Sequence, residues 1–404
     1  MNVIIVVDRY VPEARSAAHL FHDLATGLSR RGHGVRVVAK YPTENLPAEH
    51  QRPPRRERHD GVDVVRMPSP FGEPRAIWAK AVDQALFAIR VCAHILFGRR
   101  ADAVLVYSPP LPLAGACALA GWLSGTPVAL NLHDLYPGTA IDLGRMRNPI
   151  IIGAARWLER FVYRHSQGIL VPSPESVDYV RAQNRRPDLH VKLVYNWIHL
   201  EPRYHEDDHL FRDAHALHDQ FVVTYAGLVG LAQDLSAVVE AARLALDDPS
   251  LVFLVIGEGA TLGRWKQAGK GLANLRFLPV LPRAQYLQAL RASDAGLIAL
   301  AADLASPAVP FKLQSIMAVG RPVLAVVPKG SAAARVVRES KCGLITPPGD
   351  GRALLDAVTQ LRRDPALRTG LADAGYEFAR LHFAPESAVG DFEDSLRRIG
   401  RMSA

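Results

Sequence analysis

Several short stretches of this chain put polar or flexible residues where a chemical step would need them. In Val309-Pro310-Phe311-Lys312-Leu313-Gln314-Ser315-Ile316-Met317-Ala318-Val319-Gly320-Arg321-Pro322, a proline-containing turn runs into a short helix that ends at Gly320. A helix N-terminus carrying Lys312 can hold a pyrophosphate through backbone dipole and ammonium together. A solvated first-turn lysine gives the same pattern. The turn Tyr225-Ala226-Gly227-Leu228-Val229-Gly230 follows an apolar run and precedes a helical pattern over 236–244. Its Gly227 and Gly230 would let main-chain N–H groups approach a phosphate, or would simply close a tight strand-to-helix turn. Val255-Ile256-Gly257-Glu258-Gly259 has Gly-x-Gly spacing without a third glycine, which is a weak dinucleotide fingerprint. His133 and Asp134, in Leu130-Asn131-Leu132-His133-Asp134-Leu135-Tyr136-Pro137-Gly138, stand just past a strand end. There an imidazole or carboxylate can bind hydroxyls or manage a proton, and an Asp can also cap the next helix. For a metal, the sequence has no Asp-x-Asp pair after a strand, no His-x-x-x-His and no Cys/His cluster with ligand spacing; nucleophile elbows and Walker loops are missing too.

Groups of this kind need strands that end at them and helices that start there. Short Val/Ile/Leu runs alternate with longer amphipathic stretches along nearly the whole chain, the pattern of parallel sheets covered by helices on both faces. The fold class is therefore α/β. Strands are expected at 3–7, 35–39, 62–66, 103–107, 128–132, 168–171 and 193–195, with a first crossover helix over 16–31 that Gly32-His33-Gly34 stops. A second series is expected at 221–225, 252–256, 275–277, 295–299, 322–326 and 343–345. The two series meet near the polar stretch 201–209, which predicts two Rossmann-like lobes, 1–200 and 201–384, with a C-terminal helix over 385–404 packing back on the first. Such lobes bind ligands beyond the carboxyl ends of their strands, so the expected site is a cleft between them.

With 404 residues, 49% of them hydrophobic, the chain can bury two or three cores and is not a disordered polymer. Lys+Arg 48 against Asp+Glu 40 gives +8, a modest excess that favours anionic partners. Cys92, Cys117 and Cys342 are too few and too scattered for a disulfide framework, so a reducing compartment is expected. The opening apolar run follows no basic stretch and reads as a strand rather than a signal peptide.

Taken together, the chain resembles retaining glycosyltransferases of family 4, with the GT-B fold, and within them the WbuB-type branch that adds amino sugars during surface-polysaccharide assembly. The resemblance covers nearly the whole length. It rests on the order and spacing of Tyr10-Val11-Pro12-Glu13, Arg31-Gly32-His33, Ser108-Pro109-Pro110, His133-Asp134-Leu135-Tyr136-Pro137, Tyr195-Asn196-Trp197, Tyr225-Ala226-Gly227, Gly257-Glu258-Gly259, Pro310-Phe311-Lys312-Leu313 and Ala318-Val319-Gly320-Arg321-Pro322. It implies transfer from a nucleotide diphosphate sugar, UDP-linked and bound as substrate, with retention and with no metal or other cofactor required. By position, Gly227 and Gly230 would line the diphosphate, Gly257 and Gly259 would border the nucleotide, Lys312 would reach a phosphate, and Gln233 would be a further donor-binding residue. Ser315 falls where many members have a ribose-binding Glu. His133 and Asp134 become the catalytic pair near the donor sugar, while Glu13, Arg15 and Ser16 lie on the acceptor side. The sequence departs from the family where an Arg/Lys pair is usual, at Leu228 and Gln233, and where a glycine pair is usual, at Arg15-Ser16. Those departures keep two other readings open, a catalytically impaired paralogue acting as a scaffold and a GT-B nucleotide-sugar epimerase.

Partners expected on this reading are a nucleotide sugar, a saccharide or lipid-linked acceptor and an anionic membrane surface, and no nucleic acid. The helix over 77–97 carries Trp78, Val82, Leu86, Ile89, Ala93 and Leu96 as one stripe and Phe87, Val91 and Ile95 on another side. Arg75, Lys80, Arg99 and Arg100 flank it, and the basic loop 52–58 precedes it. Apolar surface with basic neighbours suits an interfacial helix. The expected location is the cytoplasm, peripheral at the inner membrane face.

Overall fold

The computed structural model describes residues 1–13, 16–42, 53–68, 77–142, 146–184, 186–302 and 309–402. The chain forms two units, Met1–Asn196 with Pro385–Ala404, and Trp197–Ala384. In the first, eight strands build one sheet: β1 Asn2–Val7, β2 Gly34–Lys40, β3 Arg56–His59, β4 Val62–Met67, β5 Ala103–Ser108, β6 Val128–Leu132, β7 Gly168–Val171 and β8 His190–Leu193. Their order is β3-β4-β2-β1-β5-β6-β7-β8, parallel throughout except for the β3–β4 pair. The second unit has β9 Phe221–Ala226, β10 Leu251–Ile256, β11 Leu275–Leu278, β12 Ala295–Ala299, β13 Val323–Val326 and β14 Gly343–Thr346. These run in the order β11-β10-β9-β12-β13-β14, all parallel. Both sheets start in the middle and wind outward in each direction, which puts a topological switch point beside β1 and beside β9.

The central strands read as continuous apolar runs because helices cover both faces. β9 and β10 are buried at every position, and Val223, Tyr225, Phe253, Val255 and Leu297 share one core with Val238, Trp265, Leu354 and Leu361. The C-terminal helix Pro385–Met402 belongs to the first unit, where Phe392, Leu396 and Ile399 are buried. Its Glu393 receives Arg31 at 2.9 Å and His33 at 3.0 Å, and these hydrogen bonds hold its carboxyl down at about 2.

Two sequence expectations are corrected. β3 lies within the stretch read as a basic loop. It is a charged edge strand, Arg-Glu-Arg-His, that pairs with β4 through Asp60-Gly61, both at positive φ (48° and 79°). An Asp-Gly pair between two extended runs is the usual primed hairpin turn. β8 ends at Leu193 rather than beginning there. On the helix Ile77–Phe97, of whose two apolar sides the sequence ranked neither, Phe87, Val91 and Ile95 face the core, whereas Val82, Ile89 and Phe97 are exposed at 41%, 64% and 86%. Trp78's side chain lies outside the described residues, as do Arg15 and Arg75.

Candidate functional site

In the second unit, two glycine loops leave the carboxyl ends of β9 and β10 and stack backbone against backbone. Val229 N–H donates to Glu258 O at 2.8 Å, and Gly227 N–H to Ile256 O at 2.8 Å. Gly227, Gly257 and Gly259 have φ of 125°, 143° and 151°, where L side chains are strained. A Cβ on Gly257 would lie 2.1 Å from Gly227 O, and one on Gly259 2.2 Å from Val229 O. Glycine is thus demanded twice at each position, by torsion and by space. Thr261 ties the second loop to the first through Oγ1, which donates to Val229 O at 3.0 Å and Gly230 O at 3.1 Å.

Lys312, in the first turn of the helix Phe311–Ala318, runs beneath this turn. Its Cε is 2.6 Å from where a Gly227 Cβ would stand. Nζ donates to the Tyr225 hydroxyl and, at 2.7 Å, to Leu228 O, and lies 4.3 Å from the centre of the Tyr225 ring. Two of the three ammonium donors are engaged and one is left to meet an anion. Burial pushes the lysine down to about 8 and the Tyr225 hydroxyl up. Tyr225, quoted above only as part of a turn motif, is therefore the residue that aims the lysine. Leu228 and Leu231 on the turn and Phe311 on the helix are exposed at 62%, 84% and 42%.

Two of the expected donor residues do something else. Gln233 points back into its own turn, its Oε1 accepting from Gly230 N–H at 2.9 Å. Ser315 is 1% exposed and its hydroxyl donates to Phe311 O at 3.1 Å, so it bonds its own helix instead of facing outward for a ribose. Its neighbour Tyr286 is pushed up by burial.

In the first unit, His133 and Asp134 follow β6 as expected, and His133 N–H donates to Ser108 O at 2.9 Å. The imidazole is half-buried, edge-on to Tyr107 at 5.0 Å, and this burial lowers it to about 4. It is neutral at physiological pH, able to donate and accept but not to supply a fixed charge. Asp134 is exposed, and loss of solvation raises its carboxyl. The next helix begins only at Gly138, so Asp134 does not cap it. Burial, with Asp134 and Asp8 adding to it, lifts the Tyr107 hydroxyl to about 12. Asp8, absent from the sequence reading, follows β1 at the switch point and is held by Gln84 at 3.2 Å and Lys40 at 3.5 Å. Lys40 in turn pairs with buried Asp83 at 2.7 Å. Glu13 is 2% exposed, with its Oε1 3.0 Å from Arg9 Nη1. It is engaged inside its own loop. Ser16 opens the helix Ser16–Arg30.

Comparison with known proteins places this arrangement. A model of the glycosyl transferase 4-like domain matches residues 17–197, and one of glycosyl transferases group 1 matches residues 220–364. The chain belongs to the GT4-type glycosyltransferases of the GT-B fold. It is 26% identical over 286 residues to the probable glycosyltransferase WbjE of Pseudomonas aeruginosa, covering 68% of this chain and 69% of that one. It is 24% identical over 343 residues to the putative colanic acid biosynthesis glycosyl transferase WcaI of Escherichia coli, covering 79% and 82%. Among solved structures, Anabaena HepE in complex with UDP superposes with a TM-score of 0.70 at 17% identity, over 98% of this chain and 100% of that one.

Proposed function

We propose that the protein transfers a hexose or N-acetylhexosamine from a UDP-linked donor to a surface-polysaccharide or lipid-linked acceptor, with retention at the anomeric carbon. The observation that carries this reading is Lys312 held under the glycine turn by Tyr225 and Leu228 O. A leaving diphosphate develops negative charge, and a fixed ammonium with nearby main-chain donors stabilises that charge without a metal ion. HepE, solved with UDP, and WcaI, assigned to colanic acid biosynthesis, support the donor and acceptor classes. The neutral His133 supplies a hydrogen bond to a sugar hydroxyl, and Asp134 beside it can accept one. Purified full-length protein incubated with a panel of nucleotide diphosphates and nucleotide sugars tests the reading: UDP and one UDP-sugar should raise the thermal midpoint, and proton NMR of the product should show the donor's anomeric configuration. Stabilisation by no uridine ligand would overturn it.

We also propose that the first unit docks on an anionic membrane surface at the cytoplasmic face. Among the described residues no helix is long and apolar enough to cross a membrane. Ile89 and Phe97 are nevertheless exposed on the helix Ile77–Phe97, and Phe97 stands just before Arg99 and Arg100. A pocket of about 850 Å³ that Phe97 helps to line also takes Arg36, Arg56, Arg58, Arg90 and Arg99, with Glu57 and Asp63 as its acidic members. Exposed apolar groups with basic neighbours bind headgroups and acyl boundary together. Vesicles with anionic lipid should sediment the protein, less so in high salt and less so after Ile89→Ser with Phe97→Ser. Those two positions are the informative ones, since Phe87 is core. Equal recovery in the supernatant with and without anionic vesicles would sink the idea.

A further inference from the structure

In the first unit a helix residue meets two consecutive residues of the hairpin, 37 positions further on. His22 lies on the helix Ser16–Arg30, His59 ends β3, and Asp60 opens the hairpin turn. His22 Nε2 is 3.5 Å and His59 Nε2 3.4 Å from the same Asp60 Oδ2, and one ligand atom from each residue lies within 4.8 Å of the other two. The imidazole rings are 5.6 Å apart at 30°. Bonds of about 2.0–2.1 Å in a tetrahedral site hold ligand atoms about 3.3 Å apart. Two of the three edges are therefore already close to the length that a zinc-sized ion sets.

Two further features fit a built site. The Tyr10 hydroxyl lies 3.2 Å from His22 Nδ1, so the ring's other nitrogen is held and Nε2 is aimed at Asp60. A hydrogen bond at the remote nitrogen is how metal-bound imidazoles are oriented. Asp60 sits at φ 48°, fixed by the primed turn with Gly61 rather than on a free loop. His59 and Asp60 are exposed, which gives an ion an entry path.

We propose that His22, His59 and Asp60 bind one divalent transition-metal ion of the zinc class, two imidazoles and one carboxylate leaving a fourth position to water. Imidazole nitrogens with one carboxylate suit Zn²⁺, Co²⁺ or Ni²⁺, whereas Mg²⁺ and Ca²⁺ prefer all-oxygen sets. The site belongs to the first unit, whereas the glycine loops belong to the second. Its effect is on the loop Tyr10–Glu13. Tyr10 touches a ligand directly, and Arg66 on β4 donates to Val11 O at 2.9 Å. An ion joining hairpin to helix fixes both supports of that loop at once.

Isothermal titration of the full-length chain, prepared without a histidine tag, tests the assignment. Zn²⁺ should bind one to one, and His59→Ala and Asp60→Asn should each weaken it at least tenfold. Both side chains are exposed, so circular dichroism should confirm an unchanged fold. Co²⁺ should give the visible absorption of a four-coordinate site in the parent and lose it in the variants. Zn²⁺ should raise the thermal midpoint of the parent alone, and Mg²⁺ should not. No stoichiometric binding at micromolar Zn²⁺, or binding undiminished in both variants, would overturn the proposal; the latter would also mean that the ion sits elsewhere and that the three residues form only a hydrogen-bonded cluster.

Discussion

The strand ends of the two units are built from different materials. In the second, the loops after β9 and β10 are main chain against main chain, and the glycines there are fixed by contacts of 2.1 and 2.2 Å that any Cβ would make. In the first, the same edge of the sheet is held by side-chain pairs, Arg9 with Glu13, Lys40 with Asp83 and Asp8, Arg66 with Glu57. A backbone-built loop presents the same N–H groups whatever the surrounding side chains are, which suits a constant ligand part such as a diphosphate. A side-chain-built edge can be altered one residue at a time, which suits the part of a reaction that differs between relatives. Substitutions should therefore be intolerable in the first kind of site and graded in the second.

The largest effect is expected at Gly257. Gly257→Ala adds torsional strain and a clash with a carbonyl that cannot yield, and should cost about 2–4 kcal/mol of stability by urea unfolding. Gly263→Ala, in the helix Leu262–Ala268 with nothing within 4 Å of the added Cβ, should change stability by no more than about 1 kcal/mol, and in the favourable direction. Similar losses at the two positions would erase the contrast.

Lys312→Met should separate binding from folding. The lysine is lowered from 10.5 to about 8 by burial, so below about pH 8 the folded state carries the charged group at a cost of up to about 3 kcal/mol, a cost relieved as pH rises from 8 towards 10.5. Tyr225 OH still donates to Leu228 O at 2.6 Å when the ammonium is gone. At pH 7 the variant should keep or exceed the parent's thermal midpoint yet lose about 1.5–3 kcal/mol of UDP affinity, roughly ten- to hundredfold, measured by titration calorimetry. Parent-like UDP binding would remove Lys312 from the donor site. In the first unit, Asp83→Asn should cost about 2 kcal/mol, less than a fully orphaned buried charge, because Lys40 retains Asp8 at 3.5 Å. A cost as large as that of Gly257→Ala would show that this edge is no more adjustable than the other.

Much of this was legible in the sequence because parallel sheets write themselves as apolar runs: β6, β7 and β12 have the expected bounds and most other strands differ by a residue at an end. β3 was missed because an edge strand buries little and needs no apolar alternation; the Asp60-Gly61 pair was the signal available. The helix Ile77–Phe97 is apolar nearly all round, so its periodicity could not say which face the sheet takes. The positions of His133, Gly227, Gly257, Gly259 and Lys312 at strand and helix ends follow from the same runs. Side-chain direction did not: that Gln233 folds into its turn and Ser315 onto its helix depends on partners three and four residues away whose geometry spacing alone leaves open. The His22, His59 and Asp60 cluster joins a helix to a hairpin 37 residues on, beyond any local ligand spacing.

The smallest expected effect is a slope. His133 is lowered from 6.5 to about 4 by burial, so the folded state resists the proton that the unfolded chain takes up. Its contribution is present above pH 6.5 and is lost as pH falls from 6.5 towards 4. The full shift corresponds to about 3 kcal/mol at 1.36 kcal/mol per unit, and a ring that is only half-buried should realise about 1–2 kcal/mol of it. His133→Gln, which cannot titrate, should flatten the parent's loss of stability between pH 6.5 and 4.5 by that amount in urea unfolding series. In turnover, His133→Ala should lower kcat and kcat/KM together, since a neutral hydrogen bond that strengthens as charge develops acts on the transition state. The parent's rate should then show no acid limb near 6.5 that the variant lacks. A shared slope in the unfolding series, or a rise in KM at constant kcat, would make this imidazole a passive part of the wall and leave the first unit without an adjustable group at the end of β6.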